Sequence, residues 1–128
     1  MATRYLNRSI PYVTDTYSPA DKSISTSTYT DLGSLSYSVG TWLTLVYVQF
    51  ANNATGTRAA RTSGTSGAST RIGIITSTRC SAVEGRSTNL NYAYMERFTT
   101  TTTRYFIAWQ NSGSSVSTAL RVVRIKLG

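Results

Sequence analysis

Residues 42–50 read Trp-Leu-Thr-Leu-Val-Tyr-Val-Gln-Phe, and they constrain the chain more than any other stretch. In a strand, successive side chains point to opposite faces. Trp42, Val46, Val48 and Phe50 then share one face with Thr44, while Leu43, Leu45 and Tyr47 share the other with Gln49. Both faces are apolar. A strand in a two-layer sandwich is expected to be polar outside, so this one has to be covered twice. Residues 105–109 repeat the pattern, with Phe106 and Ala108 opposing Tyr105, Ile107 and Trp109. The second cover is either another part of the chain, such as the N-terminal segment or a long loop, or a second subunit. An aromatic-rich patch favours the subunit.

The remaining strand signals fall around these two. Residues 28–32 end at Gly33, and residues 35–39 alternate with period two and end at Gly40. Residues 57–62 form a short polar candidate, and residues 71–76 and 78–83 precede the turn pair Glu84-Gly85. Residues 91–99, 103–110 and 120–127 complete the set. Short strands with turn signals at this spacing predict a sandwich or barrel. No segment shows sustained helical periodicity with caps. Composition agrees: 22 Thr and 18 Ser, nine Gly and few charges suit strands and turns.

The same composition narrows the chemistry. With no histidine, a Ser-His-Asp or Cys-His nucleophile system is excluded. The single cysteine, Cys80, excludes an internal disulfide framework and a Cys/His zinc site. Without a base or a resolving partner it reads as a small buried residue. Five carboxylates leave little for a paired-carboxylate hydrolase, Glu84 and Glu96 being the pair that could in principle act as acid and base. Gly64-Thr65-Ser66-Gly67 lacks the Gly-Lys-Ser/Thr ending of a phosphate loop. The expectation is a non-enzyme without cofactor or metal.

Residues 1–24 carry both prolines and scattered aromatics without periodicity, and they predict an extended N-terminal arm before a domain spanning 25–128. No signal-peptide core follows the basic start and no stretch is long enough to cross a membrane as a helix, so synthesis and use without export are expected. Eleven of the thirteen basic residues are arginine, against five acids, for a net charge of +8. Arg58, Arg61 and Arg71 flank the 63–67 loop, Arg79 and Arg86 follow, and Arg97, Arg104, Arg121 and Arg124 lie in later strands. They read as a basic surface for an acidic protein face. Nucleic acid is the weaker partner, because the arginines are dispersed and no nucleic-acid motif is present.

Residues 29–39 (YTDLGSLSYSV) lead directly into residues 40–50 (GTWLTLVYVQF), and the chain closes with ALRVVRIKLG. This pattern resembles the small jelly-roll domains of the complement-globular-head/tumour-necrosis-factor type, especially those of phage and bacterial structural proteins. The resemblance covers residues 26–128. It implies a ten-strand, all-β, two-sheet antiparallel jelly-roll sandwich assembled as a tight homotrimer. Leu45, Tyr47, Tyr105, Ile107 and Trp109 are the implied lining of the trimer axis.

Together these features predict a virion structural protein, made in the host cytoplasm. It would be a trimeric capsid decoration (cement) protein or the head of a short fibre. Arg4, Tyr5, Arg8, Ile10, Tyr12 and Val13 are the candidates for docking on a major capsid protein or another virion protein. The alternative is a trimeric module of a phage tail or fibre that binds a host-surface glycan or receptor through Asn52, Asn53, Asn89, Asn91 and Tyr92.

Overall fold

The structure is a computed structural model, and it describes residues 13–50, 56–67, 82–85 and 88–128. Nine strands are present among these residues: β1 (Val13–Tyr17), β2 (Lys22–Ile24), β3 (Thr30–Tyr37), β4 (Gly40–Phe50), β5 (Arg58–Ser63), β6 (Ala82–Gly85), β7 (Asn89–Phe98), β8 (Thr102–Gln110) and β9 (Val116–Lys126). They form two antiparallel sheets. The first runs β1-β9-β4-β7, with β2 also on β9, and the second runs β3-β8-β5-β6. We call them sheet A and sheet B.

β1 pairs with residues 122–126 of β9 and β2 with residues 116–118, so the two are halves of one broken edge strand. Counted as one, they leave eight strands in the orders 1-8-3-6 and 2-7-4-5. The fold is thus an all-β, two-sheet antiparallel sandwich.

Two boundaries differ from the sequence expectation. Residues 13–17 and 22–24, read as arm, are strands of sheet A. Their short, polar VTDTY and KSI sequences give a weak local signal, and their partner β9 lies about a hundred residues away in the chain. Likewise, residues 28–32 and 35–39 are not two strands. A single β3 passes through Gly33, where the register with β8 shifts between Asp31 and Gly33. Glycine inside a strand marks such a bulge or a close approach, and here it marks both. A Cβ on Gly33 would lie 2.6 Å from the Tyr17 hydroxyl oxygen. Tyr17 of β1 thus packs over the bulge and against the core. Of the 71–76 and 78–83 candidates, only residues 82 and 83 are described, and they open a strand that includes Glu84 and Gly85.

The core lies between the sheets. Sheet A supplies Trp42, Val46, Val48, Phe50, Leu90, Tyr92, Tyr94, Phe98, Val116, Leu120 and Val122, and sheet B supplies Leu32, Tyr37, Ala60, Phe106 and Ala108. Tyr37 stacks on Phe98 with centroids 4.8 Å apart and meets Trp42 edge-on at 5.3 Å. The hydroxyl-rich composition reaches into this core. Tyr37 of sheet B shares a 2.9 Å hydrogen bond with Thr44 of sheet A, and Thr62 of sheet B shares one of 2.8 Å with Tyr92 of sheet A. These cross-sheet pairs satisfy buried hydroxyls that are costly to leave unpaired. They also explain why β5, polar in sequence, is buried along its length.

The Tyr94 hydroxyl is buried against Tyr37, Tyr92 and Thr62 but meets hydrogen-bond geometry with no described residue. Burial pushes the Tyr37 hydroxyl above its ordinary pKa of 10.0 and Tyr94 well above it. Below about pH 10, both the folded and the unfolded chain keep these protons. Above it, the unfolded chain ionises while the fold stays neutral, so the unfolded state binds fewer protons and stability falls as pH rises. Denaturant midpoints measured from neutral pH to about pH 11 are expected to drop steeply above about pH 10. Tyr94→Phe, which loses no hydrogen bond, should flatten that drop, and an unchanged slope would remove Tyr94 from it.

Candidate functional site: the outer face of sheet A

Side chains on β4, β7 and β9 alternate between the core and the outside, and the registers align the outward ones in rows. Leu43 lies between Met95 of β7 and Ile125 of β9. Leu45 lies between Ala93 and Val123, Tyr47 between Asn91 and Arg121, and Gln49 between Asn89 and Ala119. Beyond Leu43, the Leu127 amide donates to the Thr41 carbonyl, and Thr41 faces Arg97. β1 adds Thr14 beside Ile125 and Thr16 beside Val123.

The outside of sheet A is therefore zoned. Its centre holds Leu43, Leu45, Met95, Ala93, Val123 and Ile125, contiguous across three strands. Met95 is 46% exposed and Leu127 37%. At one end stands Arg97. At the other, a polar row begins at Tyr47, itself 40% exposed. An apolar centre ringed by polar side chains is how a protein–protein contact is built.

The sequence-predicted interface residues do not form one surface. Leu45 and Tyr47 lie on the outside of sheet A. Tyr105, Ile107 and Trp109 point away from the buried Phe106 and Ala108, and so lie on the outside of sheet B. The sandwich separates the two groups. Alternation identifies the opposite faces of one strand, but not the sheet to which that strand belongs. On sheet B, Trp109 and Ile107 are already engaged. Tyr29 stacks on Trp109 at 5.9 Å, the Arg61 guanidinium lies 5.0 Å from the Tyr29 ring centre, and Ile107 is only 1% exposed. Ser66 and the Gly67 amide bond the Asp31 carboxylate across from it.

The predicted ligand residues also divide. Asn89 and Asn91 are exposed on the outside of β7, within a strand and not in a loop. Tyr92 turns inward, 6% exposed, with its hydroxyl on Thr62. Asn52 and Asn53 lie outside the described residues, as do Arg4, Tyr5, Arg8, Ile10 and Tyr12. Val13 is the first residue of β1, opposite Lys126.

The arginines do not form one basic surface. Arg58 is 3% exposed, with its guanidinium 5.7 Å from the Phe50 ring centre. Arg104 donates from Nε and Nη2 to the two oxygens of Glu96, at 3.1 and 2.5 Å, and this pairing raises its pKa. Arg124 is 8% exposed and points inward at the open end of the sandwich. Its Nε and Nη2 donate to Asp15 at 3.0 and 2.7 Å, and its Nη1 donates to the Ser36 carbonyl at 2.7 Å. These three arginines close the fold. Arg97 and Arg121 remain exposed on sheet A, while Arg71, Arg79 and Arg86 lie outside the described residues. Among the described residues, no three carboxylate or thiol groups gather to hold a metal ion.

No protein-family model matches the sequence, and no curated protein matches it. Several solved structures are similar, among them the following two. One is a protein of Bacillus endospore appendages, a family of disulfide-linked pili. It aligns over 93% of this chain and 91% of its own at 13% identity, with a TM-score of 0.52. The other comes from the acid-stable capsid of the Helicobacter pylori bacteriophage KHP30, over 91% of this chain and 95% of its own, at 10% identity and a TM-score of 0.44. At 13% identity the likeness to the first is one of fold alone.

Proposed function

We propose that the chain is a non-enzymatic structural subunit that self-associates as a homotrimer through the outer face of sheet A. The observation that carries this reading is the apolar zone around Leu43, Leu45, Met95, Val123 and Ile125. A monomer gains nothing from a contiguous apolar face on the outside of a sandwich. A second copy of the same chain is the simplest cover, because most soluble oligomers are symmetric assemblies of one chain. A protein of Bacillus endospore appendages, which form disulfide-linked pili, shares the fold. The specific form proposed here is a virion component, a capsid decoration protein or short-fibre head. Residues 1–12, with Arg4, Tyr5, Arg8, Ile10 and Tyr12, form its docking segment. The proposed segment stops at residue 12, because removal beyond it would delete β1 and the Asp15 partner of Arg124.

The test is the mass in solution, by light scattering, of the full chain and of a chain lacking residues 2–12. Three copies are expected for both at micromolar concentration. A monomeric full chain overturns the self-association. A trimeric full chain with a monomeric truncation assigns residues 2–12 to subunit contact instead of docking.

A further inference from the structure

Next to the apolar zone the same face becomes a groove of about 450 Å³. Its position follows from the break in the edge strand. β1 leaves β9 at Val122 and β2 rejoins it at Thr118, so residues 18–21 run beside Ala119–Arg121 and form one wall. Tyr47 supplies an exposed aromatic surface in the groove. Asn91 and Arg121 flank it directly in register, Gln49 is one row along the sheet, and Asp21 stands in the wall. Neither Asp21 nor Arg121 forms an ion pair with a described residue. Small-ligand pockets span roughly 300–1,000 Å³, with few oriented polar groups around an apolar surface.

We propose that this groove binds a pyranose unit of a neutral oligosaccharide, with Tyr47 as the stacking platform. A pyranose has an apolar C–H face and a rim of hydroxyls, each both donor and acceptor. The Tyr47 ring matches the first. Around the rim, the Asn91 and Gln49 amides offer both donors and acceptors, Arg121 offers donors only and Asp21 acceptors only. Cross-strand neighbours lie roughly 5 Å apart, the span of one sugar ring. Other classes fit less well. One cation beside one anion gives no net attraction for a phosphate backbone. A peptide adding to a sheet needs a free edge, and at the break residues 18–21 already run beside β9. The groove adjoins the proposed subunit contact but is complete within one chain, so the two readings can fail separately.

The experiment applies the full-length protein to an array of immobilised neutral and acidic oligosaccharides, with Tyr47→Ala and Arg121→Ala alongside. Saturable binding to a neutral glycan that persists in high salt is expected. Tyr47→Ala should weaken it about tenfold or more, with Arg121→Ala also weakened. Melting temperature and solution mass are read on the same samples. The proposal is overturned if no neutral glycan binds saturably, if Tyr47→Ala binds as wild type, or if binding is confined to acidic glycans and vanishes in salt. Loss of the oligomer in Tyr47→Ala also overturns it, by assigning Tyr47 to the subunit contact. Wild-type monomers that still bind the glycan overturn self-association and leave this site standing.

Discussion

Arg124→Ala is expected to lower the free energy of unfolding by about 3 kcal/mol, the scale of two desolvated cation–π contacts together with charge-assisted hydrogen bonds. Arg124 belongs to β9, yet it joins four strands. Its guanidinium carbon lies 4.7 Å from the Tyr37 ring centre of β3 and 4.6 Å from the Trp42 ring of β4. Its forked donors hold both Asp15 oxygens of β1, and the remaining nitrogen holds the Ser36 carbonyl of β3. Alanine removes two cation–π contacts, a bidentate pair and the hydrogen bond to the Ser36 carbonyl. Asp15→Asn should cost only about 1 kcal/mol, because the Asp15 side chain is 44% exposed and water screens it. Arg124→Lys should not restore the loss, since an ammonium cannot serve two oxygens and a carbonyl in one plane while stacking on rings. Urea unfolding at one fixed protein concentration checks all three, the concentration mattering because assembly adds to apparent stability. Equal effects of Asp15→Asn and Arg124→Ala would show that the stacking contributes nothing.

Arg124 also shows what the sequence made legible and what it hid. Residues 120, 122 and 124 share a strand face, so Leu120 and Val122 already placed this arginine inward. Counting arginines as a single basic surface overlooked that parity. The same rule places Leu90, Tyr92 and Tyr94 together, and Asn91, Ala93 and Met95 opposite them, as the structure has them. The all-β class, the long two-faced strand and most later strands follow from local alternation. β1, β2 and the Gly33 bulge do not. β1 and β2 are defined by pairing with the far end of the chain, and the bulge by the Tyr17 ring that packs over it. The outer site was half legible. Leu45 and Tyr47 were visible as a second apolar face, but their neighbours Met95, Val123 and Ile125 come from two other strands, and only the register brings them together. Where both faces of a strand are apolar, periodicity carries no sign to say which one meets the core.

Leu45→Lys is expected to convert the proposed trimer to single folded chains, raising the dissociation constant by about two to three orders of magnitude. Leu45 sits at the middle of the apolar zone, between Ala93 and Val123 and one row from both Leu43 and Tyr47. In an isolated chain its side chain is only partly buried. A lysine there can lay its methylenes along the sheet and keep the ammonium in water, at little cost to the fold. Under a second subunit, the same ammonium is cut off from water with no carboxylate nearby, since the facing residues of the zone are apolar and its ends carry Arg97 and Arg121. The cost therefore falls on association and not on folding. Met95→Lys, in the adjacent row and 46% exposed in the single chain, should act the same way with even less effect on folding. Ser34→Lys, exposed on the outside of sheet B opposite Tyr105, is the matching control and should leave the mass unchanged. Light scattering reads the mass, and far-UV circular dichroism with thermal melting reads the fold. If the assembly survives both sheet A lysines but not Ser34→Lys, the contact lies on the other sheet. That result would transfer the interface to the face bearing Tyr105 and Trp109, and would leave the apolar zone of sheet A without a second copy to cover it.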